Sequence, residues 1–107
     1  LHDATAFAEI QQIENLGLCE SGQGGPFTES GATRIGGQVP VNPSGGLVSK
    51  GHPVGATGVA QVVELVQQLR HEAGERQVKG ASIAVAENGG GFYAVEEAAT
   101  MVTVLAN

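Results

Sequence analysis

The segment SKGHPVGATG, residues 49–58, carries the side chains whose types and spacing best suit chemistry. His52, one of only three histidines in the chain, stands directly before Pro53, with Gly51, Gly55 and Gly58 around it. A helix is predicted over 53–73, which sets His52 at or beside its N-cap and Pro53 at the first helical position, where a missing N–H costs nothing. The first-turn amides of residues 54–56 then lack internal partners. The positive end of the helix dipole disfavours an imidazolium, so a neutral ring is expected. Such a ring takes a proton from a nucleophile or donates to a developing oxyanion. The three glycines admit a substrate or another backbone at close range. The same residues also read as an ordinary helix entry whose histidine merely caps, and the segment alone leaves both readings open.

The elements that position this segment are an alternation of helices and short strands. HDATAFAEIQQIENLG reads as a helix over 4–16, with Phe7, Ile10, Ile13 and Leu16 on one narrow stripe, Asp3 or Thr5 as cap, and Gly17 at the left-handed C′ position. A glycine-rich loop follows over 19–38, then a short strand at 39–42 stopped by Pro43 and the Gly45-Gly46 pair. In the 53–73 helix, Val59, Val62, Val63, Val66 and Leu69 form an apolar face. Gln61, Glu64, Gln68 and Glu72 are expected outward, and Gly74 at the end. Strands are predicted at 81–86 and 100–106, with ENGGGFY a loop between them. Three strands are too few to bury two helices, so an incomplete α/β domain is expected, finished by another polypeptide.

Composition narrows the function classes. Of 107 residues 41% are hydrophobic but only 4% aromatic, so the core is built from Val, Ile, Leu and Ala. Seventeen glycines are more than twice the usual ~7% share, and their clustering marks constrained loops. The net charge of −6, with five scattered Lys and Arg, speaks against a nucleic-acid partner. No apolar run approaches the about 18 residues of a membrane span. A single cysteine, Cys19, excludes an internal disulfide and fits a cytoplasmic location. Its position just after the first helix suggests an incidental thiol.

VNPSGGLVSKGHPVGATG, with QLRHEAGERQV, AENGGGF and HDATAF on its flanks, resembles the C-terminal signature of the thiolase superfamily, and is most similar to its sterol-carrier-type branch. The likeness covers essentially the whole chain. It implies a fold: part of a five-stranded mixed sheet with helices on both faces, two strands and a helix of which lie upstream of Leu1. It also implies an activity, acyl transfer between coenzyme A thioesters of the 3-ketoacyl-CoA thiolase or acetyl-CoA acetyltransferase type, with coenzyme A thioester as substrate and no bound metal or cofactor. In the family the G-H-P histidine activates an N-domain cysteine and helps form the first oxyanion hole; that residue is His52. The H-D-C-F histidine, which helps hold the water or donor completing that hole, is His2.

The thiolase C-x-G-G-G motif falls on Glu87, Asn88 and Gly89. The Gly89 amide then serves the second oxyanion hole, with Gly51 and Gly90 as substrate-binding positions. Here the chain departs from the family. Glu87 stands where the acid/base cysteine belongs, and Ala4 stands where the sterol-carrier branch has its alternative thiol. A glutamate in a dry pocket, its pKa raised, can act as the base. Otherwise the chain is a non-catalytic acyl-CoA-binding or scaffold subunit, or a thiolase-fold retro-aldolase using Tyr93. The expected partners are a companion N-terminal segment or chain with the nucleophilic cysteine, further copies in a homo- or hetero-oligomer, and an OB-fold/zinc-ribbon subunit.

Overall fold

A computed structural model of the chain describes residues 1–94 and 97–107. Helix α1 (Ala6–Asn15) starts at Thr5, which has extended backbone and a hydroxyl that accepts the Ala8 N–H at 3.0 Å. It ends at Gly17, whose φ of 70° lets Leu18 N–H reach the Ile13 carbonyl and Gly17 N–H the Glu14 carbonyl. Ile13 is fully buried beneath this turn. Asp3, the other predicted cap, is used elsewhere.

Within the predicted 19–38 loop the chain forms a six-residue helix, α2 (Gly24–Glu29). The cause lies in α1, where the Glu14 carboxylate accepts both the Gly22 and Gly24 N–H groups at 2.8 Å. Residues 39–42 form no strand, and Asn42 stands at a φ of 45°. Val39 N–H and Val41 N–H are taken by the Ala32 and Thr33 carbonyls of the preceding turn, and Pro40 has no N–H to offer a ladder.

The predicted 53–73 helix is a turn followed by a shorter helix. After α3 (Gly46–Lys50), Pro53 opens a turn whose carbonyl accepts both the Ala56 and Thr57 N–H groups, and α4 runs only over Thr57–Leu69. His71, not Gly74, takes the left-handed C′ position at φ 60°, with Glu72 N–H returning to the Gln67 carbonyl. Gly74 instead begins a 3-10 turn, Gly74–Arg76.

The faces of α4 meet expectation only in part: Leu69 is buried and Glu72 exposed as expected, but polar side chains share the inner side. Gln68 is buried, donating to the Arg76 carbonyl at 2.8 Å and accepting from Val78 N–H at 2.8 Å, while the Arg76 guanidinium grips both oxygens of Glu64. Gln61 likewise turns inward toward the sheet. Val59, Val62 and Val63 remain exposed. Hydrogen-bonding demand from the backbone of residues 74–88 draws the glutamines inward; Val59, Val62 and Val63 are left without cover among the described residues, while Leu69 is buried.

Strands β1 (Ile83–Gly90) and β2 (Ala99–Ala106) pair antiparallel, with Ile83 opposite Ala106, Glu87 opposite Val102 and Gly90 opposite Ala99. The segment ENGG, predicted as loop, is therefore strand, and the turn begins at Gly91 with φ 68°. Alternation puts Ala84, Ala86 and Asn88 on the side facing α4, where Asn88 lies against Gly58. Val85, Val102 and Val104 line the other side and are exposed. The architecture is α/β: helices with a two-stranded antiparallel sheet. Between helices and sheet lies an apolar cavity of about 550 Å³, lined among others by Leu16, Val41, Leu47, Leu65 and Val104.

Candidate active site

Residues 1–5 cross between α3 and β1 and bring distant groups together. Asp3 is 1% exposed, and its carboxylate accepts the Leu47 N–H at 2.7 Å and the Val48 N–H at 3.4 Å. It thereby caps α3 from outside that helix. Gly46, at φ 63°, comes so near that a Cβ there would overlap the Asp3 carboxylate. His2 is held on both sides through its backbone. Its carbonyl accepts from Gln12 Nε2 at 2.8 Å, and its N–H donates to Glu87 Oε2 at 3.2 Å. The placement of His2 thus follows from α1, α3 and β1 together.

The rings of His2 and His52 meet edge to face, with centroids 4.9 Å apart and planes at 78°. His52 is exposed and does not sit at the mouth of α4, whose N-cap is Ala56. The dipole argument for a neutral ring loses its force at that remove, since the effect fades within the first turn. A hydrogen bond replaces it: His52 Nδ1 lies 2.7 Å from the Thr57 hydroxyl. Thr57 is 2% exposed, and its hydroxyl donates to the Pro53 carbonyl at 3.2 Å. With that hydrogen committed, the oxygen accepts Nδ1–H from His52, and Nε2 is left as the free acceptor.

Glu87 is 3% exposed although it lies on the sheet side opposite α4. Burial pushes its carboxyl above the usual carboxylate range, and the neighbouring Glu97 carboxylate pushes it further, against the pull of the His2 N–H. Oε1 of Glu87 meets no donor. Its backbone carbonyl accepts from Gln61 Nε2 at 2.8 Å, and Gln61 in turn accepts from Asn88, so α4 clamps the strand at this point.

Glu97 was not foreseen from sequence. It accepts from His2 Nδ1 at 2.9 Å, and its carboxylate occupies the space beside Gly89 so fully that a Cβ there would overlap it. The structure therefore brings His2, His52, Glu87 and Gly89 into one cluster and adds Thr57 and Glu97. Thr57 was visible in the quoted segment, five positions after the histidine it orients. Glu97 carried no signal, because its place depends on how the chain returns from Gly91 into β2.

The remaining candidates lie apart. Gly51 has open space around it at φ 89°, and Gly90 stands at the end of β1 opposite Ala99. Tyr93 is 80% exposed beyond the end of β1. Cys19 follows α1, where burial first and then the carboxylates of Glu14 and Glu20 push its thiol up, away from nucleophilic character. Among the described residues no group of three His, Cys, Asp or Glu side chains is arranged to hold a metal ion. No described helix is long and apolar enough to cross a membrane.

Comparison with known proteins adds an independent finding. The profile of a family described as thiolase C-terminal domain-like matches residues 1–106. An acetyl-CoA acetyltransferase of Methanothermobacter thermautotrophicus is 55% identical over 91 residues, 85% of this chain and 24% of that protein. Sterol carrier protein 2 of Bos taurus is 56% identical over 88 residues, 82% of this chain and 16% of that protein. Benzoylsuccinyl-CoA thiolase subunit BbsB of Thauera aromatica is 44% identical over 79 residues, 74% of this chain and 20% of that protein. The chain thus spans about a quarter or less of the relatives it matches.

Proposed function

The chain belongs to the thiolase C-terminal domain-like family, and on that premise we propose that it is the C-terminal part of a thiolase-like acyltransferase working on acyl-coenzyme A thioesters. The observation that carries the reading is the convergence of His2, His52 and Glu87 from three separate segments. A companion N-terminal segment supplies the nucleophilic cysteine. Nε2 of His52 takes the thiol proton, and the thiolate attacks the thioester carbonyl. The imidazoles of His52 and His2 stabilise the oxyanion, and coenzyme A leaves with the proton. In the second half-reaction Glu87 exchanges a proton with the α-carbon of the incoming thioester, in place of a thiol, and the Gly89 amide faces the second oxyanion.

The bare valines of α4 and β2 and the unfilled cavity support a sheet completed to five strands by the companion segment. Oligomeric assembly, an OB-fold/zinc-ribbon partner and a cytoplasmic location complete the proposal. His52→Ala in the full-length protein is expected to reduce acyl-cysteine formation from acyl-CoA by roughly 100-fold or more. Unchanged turnover sinks the assignment.

One observation favours a second reading. Neither Ala4 nor Glu87 supplies a thiol, which fits a subunit that binds acyl-CoA without turning it over. Saturable acyl-CoA binding with no acyl-cysteine by mass spectrometry decides for that reading. A retro-aldol role for Tyr93 requires its hydroxyl at the site, and Tyr93→Phe with full activity removes it.

A further inference from the structure

Glu87 presents an accounting problem. It is 3% exposed, Oε2 accepts the His2 N–H, and Oε1 has no N–H or O–H donor within reach. A buried carboxylate oxygen without a partner costs its full desolvation. The Glu97 carboxylate, itself an acceptor, meets the same residue as Glu87: His2 N–H donates to Glu87 Oε2 and His2 Nδ1 to Glu97 Oε1, and Glu97 packs against Gly89, two positions along β1 from Glu87. Glu97 has both oxygens engaged, Oε1 with His2 Nδ1 at 2.9 Å and Oε2 with the Thr100 hydroxyl at 3.4 Å. Two carboxylates this close do not both ionise; one proton between them converts repulsion into a hydrogen bond.

We propose that Glu97 is the positioning residue of this site: its ionised carboxylate fixes the His2 ring through Nδ1–H and keeps one proton on Glu87 Oε1, shared between the two carboxyl groups. The pair therefore holds a transferable proton where the sequence has no thiol. That use of the proton rests on the acyl-transfer reading above; the pairing itself does not. The titratable and charged groups turned toward Glu87 are Glu97, ahead of β2, and His2 of the opening segment. From α4 the contact is neutral Gln61. Gly89 belongs to the device, since any side chain there would displace the Glu97 carboxylate.

The test is a carbon-13 NMR titration of the glutamate carboxyls in the full-length protein, with Glu87 identified by its loss in Glu87→Gln. Glu87 is expected to titrate above ordinary glutamates. In Glu97→Gln the amide donates to Glu87 instead, so the Glu87 midpoint falls; Glu97→Asp restores it. Should Glu97→Gln fail to fold, Gly89→Ala, which pushes the carboxylate aside, is expected to give the same fall. A Glu87 midpoint unmoved by removal or displacement of Glu97 overturns the inference. Turnover is read separately: a wild-type protein that never forms an acyl-cysteine refutes the acyl-transfer reading, while the titration still decides the pairing.

Discussion

The carboxylate of Asp3 and the backbone N–H of Leu47 meet at 2.7 Å inside the protein, tying the first residues of the chain to the helix that precedes the His52 loop. Because His2 is the neighbour of Asp3, this contact, with those of Gln12 and Glu87 to the His2 backbone, sets the histidine of the opening segment against the histidine of the loop. The site is therefore a property of tertiary structure, assembled from pieces that no local motif unites.

Removing that tie has a measurable cost. Asp3→Ala leaves two α3 amides uncapped and is expected to destabilise the protein by about 2 kcal/mol in urea denaturation. Activity should fall by more than the unfolded fraction explains, because His2 loses its anchor. An Asp3→Ala protein of native stability contradicts this account of α3.

The Thr57 hydroxyl orients His52 without touching substrate. Thr57→Val, nearly the same in shape, is expected to lower kcat by roughly 10–100-fold, the range seen when the partner of a functional imidazole is lost. Thr57→Ser should restore most of it. Nitrogen-15 shifts of the His52 ring check the cause: the Nδ1–H tautomer predominates in the wild type and gives way to a mixture in Thr57→Val.

Buried Glu87 makes the protein pay in stability for its proton. The carboxyl is raised in the folded state, so its contribution is fully present below the unfolded-state pKa and is lost as pH rises through the folded value. Glu87→Gln keeps the shape and donates an amide to Glu97. It is expected to melt no lower than wild type at pH 7, and to lose its advantage on acidification, while proton exchange at the α-carbon of an acyl-CoA stops. A lower melting temperature at neutral pH would show that Glu87 is a structural ion instead.

Glu14 has the opposite sign. Its carboxylate accepts two backbone N–H groups and is held below the usual glutamate range by the Gly22 bond first and the Gly24 bond second. The stability it contributes is present above the unfolded-state pKa and is lost as pH falls through the lower folded value. Glu14→Gln should therefore flatten the acid side of a melting-temperature profile, and protease cutting near α2 should appear at higher pH than in wild type. An unchanged acid limb excludes Glu14 as the clasp of that turn.

The apolar stripe of α4 yields a prediction about association. Val62 and Val63 are exposed beside Val59, and Val102 and Val104 are bare on the sheet. The 107-residue chain by itself is expected to bind a hydrophobic dye and to elute from a sizing column as associated species. Replacing Val62 and Val63 with lysine should shift it toward smaller species.

Much of this was legible in the residues. The Thr5 cap and the Gly17 terminus follow from local chemistry, whereas His52 was expected at a helix mouth and stands four residues ahead of the Ala56 cap. The faces of α4 were misread in part because periodicity reports where apolar side chains align, not which side is covered. Gln61 and Gln68 win inner positions through bonds to backbone that lies later in the chain, and Glu64 through the Arg76 guanidinium. The strand at 39–42 failed for want of a neighbour, and the glycines after Glu87 joined β1 because β2 returned to pair with them. Glu97 was invisible for the same reason, since pairing register is a long-range fact.

The burial of Asp3 has one more consequence. His2 and Asp3 are adjacent, so the opening strip works as a latch whose bolt also carries a tool. Any event that pries the strip loose, whether proteolysis or a competing partner, frees the start of α3, withdraws the ring from His52 and uncovers Glu87 in a single motion. Thr57 still holds His52 after such an event, so the loss falls on His2, the α3 cap and the cover of Glu87 together.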